Sequence, residues 1–386
     1  NIDFPFKKYS ISPEHLNRLI NNTNEFKSSE LIVGNPFTLS GVIFSEDTNK
    51  LFPNAFALKD EGEIDDSYSG EFKYFNHNTE EYKTIDIITD YFTETERMKS
   101  IRSDQAIKAS PYDIWISGGD ITKDIVVNSL NKSLMSSLDL NMDLLREEIF
   151  ESTKKDGGIK ESTQFKVSLA KSVIHYFCPD PSSSKMLDIS AGWGDRLIAA
   201  ASSKLAGYFA CDPNTNLKPG HDNIIDTIIP VDKKHLYKIH YEPFETVTIP
   251  KDEKFNLIFS SPPFFDLEIY DNDAKQSIYK FSDGNKWLVD FLFASLSKAW
   301  EHLIPGGHMV IHITDVSTLK ICEPMVLFCQ TKLSGCYYLG VLGSKGDAGI
   351  VRPMWVFKKM TTGSSGMARD AKKILKTNFN EIFKVL

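Results

Sequence analysis

The sequence predicts an α/β fold: a doubly wound, mostly parallel, Rossmann-like sheet within residues 151–360, preceded by an N-terminal α+β accessory domain. Two observations predict it. From about residue 160, short apolar runs alternate with amphipathic segments of helical period, the pattern of strands joined by crossover helices. These runs also end in chemically distinctive residues, Gly192, Asp212, Glu242 and Ser261. In a doubly wound sheet, ligands sit beyond the carboxyl ends of the strands, so the coincidence locates a candidate site.

The elements follow in order. Thr163 to Phe177 reads as an amphipathic helix with Phe165, Leu169, Ile174 and Phe177 on one buried side, stopped by Cys178-Pro179-Asp180-Pro181. Met186 to Ile189 is a strand, Ser190-Ala191-Gly192-Trp193-Gly194-Asp195 a glycine turn, and a helix starts at Arg196, with Asp195 as its cap. Gly207 to Cys211 is a second strand ending in Asp212-Pro213-Asn214, and Tyr237 to Tyr241 a third ending in Glu242-Pro243. Phe255 to Phe259 is a fourth, ending in Ser260-Ser261-Pro262-Pro263-Phe264-Phe265. A long helix from about Lys286 to Leu303 closes on Pro305-Gly306-Gly307. His308 to Ile313 is a fifth strand, and Tyr337 to Leu342 and Met354 to Phe357 are late ones.

The first 150 residues carry weaker signals. Leu31-Ile32-Val33 and Val42-Ile43-Phe44, beside Gly, Pro and Asn, predict short strands and loops. Residues 60–71 predict an exposed acidic loop, and Asp90 to Ser103 and Asn141 to Lys154 predict helices. Residues 1–150 hold 15 Lys and Arg against 26 Asp and Glu, while the rest of the chain holds 29 against 26. So acidic a first part excludes an all-over nucleic-acid surface and leaves room for a local basic cleft. Residues 361–386 are basic, with Ile374, Leu375, Phe379, Ile382 and Phe383 spaced for a packed terminal helix. The organisation expected is therefore 1–150, a possible substrate-recognition domain, then 151–360, then the helix.

At 41% hydrophobic and 25% charged residues, the composition excludes collagen-like and wholly disordered classes. No apolar run reaches the roughly 18 residues of a spanning helix, so no membrane role is expected. Asn1 to Phe6 lacks a secretory n-region and h-region. Cys178, Cys211, Cys322, Cys329 and Cys336 match no zinc spacing and form no CxxC, so reduced thiols in a cytoplasmic or nuclear, non-secreted protein are expected.

The glycines at 192 and 194 permit a tight turn and close backbone approach, and the following helix aims N–H groups at the same place. Asp212, ending the next strand, is placed to accept hydrogen bonds from ribose hydroxyls. The third glycine of the dinucleotide fingerprint is missing. The stretch DISAGWGDRL from Asp188, followed by CDPN from Cys211, resembles motifs I and II of class I S-adenosylmethionine-dependent methyltransferases. The resemblance implies that Asp188, Ser190, Ala191, Gly192, Trp193 and Gly194 hold the methionine portion, Asp212 the ribose and Glu242 the adenine. It also implies that the Phe165 helix stands at motif X, enclosing the methionine end, that Ser260 borders the cofactor, and, as an alternative to capping, that Asp195 touches the cofactor's ammonium group.

Ser261-Pro262-Pro263-Phe264 is the sharpest signal. Two prolines cannot continue a central strand; they fix φ and leave bare carbonyls. Carbonyls and a Ser hydroxyl accept from a planar NH₂ group, favouring a pyramidal nitrogen with its lone pair available, and Phe264 offers a stacking face. The segment resembles motif IV of amino-methyltransferases, and its Ser leans toward the cytosine-N4 branch over adenine-N6. What the resemblance implies is methyl transfer from S-adenosylmethionine to an exocyclic amine of a nucleic-acid base, DNA rather than RNA, with Ser261 to Phe264 as catalytic residues and no metal. The alternatives are an RNA or protein-glutamine acceptor, or an inactive methyltransferase fold kept for binding. Only some 50 residues separate Asp212 from Ser261, so residues 1–150 are the candidate for target recognition. His308 and His312 alternate on one strand as a potential metal pair, with no third ligand in view.

Overall fold

The computed structural model describes residues 3–43, 56–58, 71–136, 140–270, 273–346, 349–361, 379, 382 and 384. The strands are β1 Glu30–Val33, β2 Lys73–Asn76, β3 Ile101–Arg102, β4 Lys185–Asp188, β5 Gly207–Cys211, β6 Tyr237–His240, β7 Phe255–Ser260, β8 Glu268–Ile269, β9 Leu303–His312, β10 Cys336–Lys345 and β11 Val351–Lys359. A nine-stranded sheet has the order β1-β2-β10-β11-β9-β7-β4-β5-β6, and β3 pairs separately with β8. The run from β6 to β9 is parallel, and β11 is antiparallel to both β9 and β10.

Why these residues form a central parallel sheet is visible in their burial. β5 is buried at every position and β7 at all but Asn256, as expected of strands covered on both faces by helices. On one face, Phe291, Leu292, Leu296 and Trp300 of the 287–302 helix pack with Val326 and Phe328 of Cys322–Lys332. On the other, Leu169, Val173 and Ile174 of Val167–Phe177 meet Leu197 and Ile198 of Asp195–Ser202. The doubly wound expectation is therefore met. From β4 the chain runs outward through β5 and β6, then crosses back to β7 and β9. The loops after β4 and β7 consequently part company, and a crevice opens between them.

Several elements differ from the sequence reading. The helix expected over 163–177 begins at Val167, because Lys166 adopts φ +86° and breaks the turn before it. The helix expected over 90–103 ends at Arg97 and gives way to β3. Asp195 is the first helical residue rather than the cap; Gly194 precedes it at φ +99°. Pro305-Gly306-Gly307 lies inside β9 rather than before it. Helices at Pro13–Glu25, Glu80–Asp86, Pro111–Ile116 and Asp120–Ser136 went unread.

Residues 1–150 share the main sheet and its cores. β2 runs parallel to β10, β1 is antiparallel to β2, and Leu16 and Leu19 sit in the same apolar cluster as Leu169 and Ile198. A third cluster, with Phe4, Phe6, Met98, Trp115, Ile125 and Ile149, is confined to residues 4–159. Val42 and Ile43 lie outside any strand. Phe44, residues 60–70 of the expected acidic loop and most of the expected basic helix over 361–386 lie outside the described residues; Phe379 and Ile382 join the core. All five cysteines are buried and unbridged. Among the described residues, no helix is long and apolar enough to cross a membrane.

Candidate active site

The site is built from the ends of β4, β5, β6, β7 and β9. At β4, Asp188 is fully buried, and its carboxylate accepts from Arg196 Nε (2.7 Å), Ser260 Oγ (2.7 Å), Tyr208 OH (2.9 Å) and the Ser190 N–H (3.1 Å). One carboxylate thus ties β4 to β5, β7 and the following helix, with a charge-assisted bond at its centre. Arg196 also donates to the Ser190 carbonyl. Gly192 sits at φ +58°, where a side chain is strained; its N–H donates to Asp212 Oδ2 at 2.8 Å. Its carbonyl lies 2.8 Å from His221 Nε2, while His221 Nδ1 lies 3.1 Å from Tyr241 OH. A carbonyl cannot donate, so Nε2 carries the proton and Nδ1 accepts from the tyrosine. Burial pushes His221 down to about 4, keeping this buttress neutral.

At β5, Asp212 accepts from Gly192 and, at 3.0 Å, from the Asn214 N–H; burial raises its carboxyl to about 6. Beyond β6, Lys298 Nζ donates to the carbonyls of Phe244 (3.0 Å), Glu245 (2.8 Å) and Val247 (2.8 Å), fixing that turn. Glu245 Oε1 pairs with Lys280 at 2.8 Å, but its buried Oε2 has no partner. Buried Gln276 Nε2 has none either, and its own carbonyl accepts from the Lys280 N–H at 3.0 Å. Both residues line the wall, joined through Lys280.

At β7, Ser261, Pro262, Pro263 and Phe264 turn into the crevice, and Phe265 takes φ +49°. Ser261 Oγ is 3.0 Å from His312 Nδ1 at the end of β9. Phe264 tilts against that imidazole at 5.7 Å and Phe165 meets it edge-on at 5.2 Å. Phe165 also lies 5.1 Å from the Arg196 guanidinium, so it touches both halves of the site. Burial, then the charges of Arg352, Arg196 and His77, pushes His312 down to about 3.

These ends enclose one cavity of about 320 Å³. Its wall includes the predicted residues Phe165, Ser190, Gly192, Trp193, Asp212, Ser261, Pro262, Pro263 and Phe264. Asp188, Ala191, Gly194, Glu242 and Ser260 are not part of it, and each has a physical reason. Asp188 and Ser260 are consumed by the buried network. The Ala191 N–H donates to the Cys211 carbonyl at 2.8 Å. A Cβ on Gly194 would come 2.6 Å from Ile224 Cδ1, so this glycine serves helix packing. Past Glu242, it is Pro243, Phe244 and Glu245 that face the cavity.

The sequence reading missed Glu245, Gln276, Arg352 and His312 as wall residues, and gave Asp195 a cofactor contact only as an alternative to its capping role. Asp195 is buried, accepts from Thr89 Oγ1 at 2.8 Å, and has its carboxyl raised by that burial. His308 and His312 point to the same face but stand ~13 Å apart along the strand, too far to share an ion. No group of metal-ligating side chains occurs among the described residues.

The N-terminal region reaches this cavity. Arg102 of β3 opposes Glu268 of β8, with Nη1 to Oε1 2.8 Å. Glu268 also accepts from Tyr270 OH (2.7 Å) and the Thr163 N–H (3.0 Å). Trp193 Nε1 donates to the Thr163 carbonyl at 3.2 Å and its ring meets Tyr270 at 5.6 Å.

No family model and no curated protein sequence matches the chain. Among solved structures, TrmN from Thermus thermophilus is similar over 58% of this chain and 69% of its own, at 12% identity and a TM-score of 0.36. The N-methyltransferase NodS from Bradyrhizobium japonicum is similar over 50% and 94%, at 11% identity and 0.34. An S-adenosylmethionine-dependent O-methyltransferase from Thermotoga maritima is similar over 53% and 69%, at 13% identity and 0.33. Likenesses this distant carry no argument about cofactor or acceptor, which rest on the residues of the site.

Proposed function

We propose that this chain is an S-adenosylmethionine-dependent methyltransferase acting on an exocyclic amine of a nucleic-acid base. The observation that carries the reading is the opening of Ser261-Pro262-Pro263-Phe264 into the same cavity as Gly192 and Asp212. The wall suits the cofactor. Asp195 matches an ammonium group and Asp212 the ribose hydroxyls. The wall residues Glu245 and Gln276 carry an acceptor and a donor suited to an adenine edge, which presents an amino donor beside a ring-nitrogen acceptor. Bound there, S-adenosylmethionine supplies an electrophilic methyl group.

The chain's own residues prepare the acceptor. The carbonyl of Pro262 and the Ser261 hydroxyl accept the two N–H bonds of the amine, drawing its lone pair out of conjugation. Phe264, backed by His312, stacks on the base. The rings of Trp193 and Tyr270 and the aliphatic side chain of Leu267 line the cavity as an apolar wall. A base in a duplex reaches such a depth only by leaving the stack, at a few kcal/mol, of which stacking on Phe264 returns about 1–3 kcal/mol.

The test is transfer of labelled methyl from S-adenosylmethionine to single-stranded DNA, duplex DNA and RNA, with identification of the modified nucleoside. An N-methylated base is expected, N4-methylcytosine or N6-methyladenine in DNA. Phe264→Ala should cut turnover roughly tenfold or more while leaving cofactor affinity intact. Methyl on carbon 5 or on a ribose oxygen, or wild-type turnover by both Phe264→Ala and Pro262→Ala, overturns the reading.

A further inference from the structure

Resting on that reading, we propose that His312 is a positioning residue that holds the Ser261 hydroxyl hydrogen and so turns the oxygen's lone pairs toward the substrate amine. Ser260 of β7 pairs with Ile311 of the neighbouring parallel strand β9, which brings the next residues, Ser261 and His312, side by side beyond the sheet. Their Oγ and Nδ1 are 3.0 Å apart. Phe165 and Phe264 pack on the imidazole at 5.2 and 5.7 Å and hold its plane.

A serine hydroxyl has one hydrogen and two lone pairs, and its rotor is otherwise unrestrained. A hydrogen pointing into the cavity would meet the N–H groups of an amine donor to donor. With Nδ1 unprotonated, the hydrogen is committed to His312, and Ser261 meets the cavity as an acceptor only. The other tautomer reverses this, since an Nδ1–H would occupy a lone pair and release the hydroxyl hydrogen toward the amine. Amine orientation therefore requires the Nε2–H tautomer. Burial and neighbouring cations keep the ring uncharged, so an unprotonated nitrogen is always present at ordinary pH. His312 accepts no proton from the substrate; it acts through Ser261.

The first test reads the tautomer directly in the wild-type chain labelled with ¹⁵N in its histidine rings. An unprotonated Nδ1 at His312 is expected, and a protonated Nδ1 overturns the proposal. The second uses single-turnover methyl transfer from labelled S-adenosylmethionine to heat-denatured DNA and to total RNA, with calorimetry of cofactor binding to confirm that each variant is folded. His312→Leu should lower kcat roughly 10- to 100-fold at unchanged KM, the scale of a misaimed group. His312→Asn, whose Oδ1 falls near the position of Nδ1, should return to within a few-fold of wild type. In a Ser261→Ala background, His312→Leu should add no further loss. Full turnover by His312→Leu, or losses that multiply in the double variant, overturns the role of His312 alone. A wild type that binds cofactor but methylates neither nucleic acid overturns the functional reading on which it stands.

Discussion

The two ends of the cavity are built by opposite means. The end formed by β4 and β5 is held by buried charge: Asp188 gathers Arg196, Tyr208, Ser260 and the Ser190 N–H, and Gly192 is pinned to Asp212. The end formed by β7 and β9 is held by ring contacts and by a strand from elsewhere. Phe165, Phe264 and His312 pack together, and β3 braces the segment after Phe264 through Arg102 and Glu268. The charge network at the first end lies within residues 188–212 except for Ser260, which reaches Asp188 from β7. The second end draws its contacts from four distant segments, around residues 102, 165, 264–268 and 312.

Asp188→Ala breaks that contrast hardest. It leaves the Arg196 guanidinium, 3% exposed, without its carboxylate, at a cost of about 3–5 kcal/mol. Chemical denaturation should show that loss, and both ends of the site should fail with it. Unchanged stability would deny the network its organising role.

Asp212→Ala should instead weaken cofactor binding by about 1.5–3 kcal/mol, as for a lost charged hydrogen bond, and leave acceptor binding alone. Its pH signature follows from burial. The folded carboxyl titrates near about 6 against an ordinary 3.8. Between those values the folded chain holds a proton that the unfolded chain has released, so cofactor-free stability falls as pH rises through this window. Asp86 and Glu94, both pushed up to about 7 by burial, act in the same direction. The difference between wild type and Asp212→Asn isolates the Asp212 share, and denaturation midpoints from pH 4 to 7 should show a flatter slope for the variant. Cofactor affinity of the wild type should rise over the same range as the carboxylate ionises.

Arg102→Ala should give the smallest effect, about 1–2 kcal/mol in stability, since Glu268 keeps the Thr163 N–H and the Tyr270 hydroxyl. Its diagnostic value lies in selectivity: slower methyl transfer with unaltered cofactor affinity. Equal losses in both would mean that β3 supports the whole cavity rather than the acceptor end.

How far the sequence could be read follows the same division. The stretch 185–264 was legible because β5 and β7 are largely apolar runs and the turns carry glycine, Asp212 and paired prolines, all of which act locally on φ and on hydrogen-bonding capacity. Boundaries slipped where one residue's backbone decided the matter, as at Lys166. Which side chains stand in the cavity wall depended on partners that lie far away in sequence. Asp188 and Ser260, expected at the cofactor, bond to each other inside the protein, Asp188 also to Arg196 and Tyr208, and neither lines the cavity. Glu242 read as the adenine contact, yet Glu245 is the residue in the wall.

By itself the sequence determined the doubly wound sheet and the positions of its central strands along the chain, because hydrophobic period and turn chemistry are properties of neighbouring residues. Only the tertiary structure decided that β1 and β2 extend that sheet, that β3 reaches across to β8, and that Ser261 meets His312. Those pairings join segments 50 to more than 250 residues apart, and strand edges carry too little side-chain information to name their partner in advance. Which polar atoms are spent on the fold and which are left for a ligand was likewise settled by burial, since an acceptor's availability depends on every donor that folding brings to it.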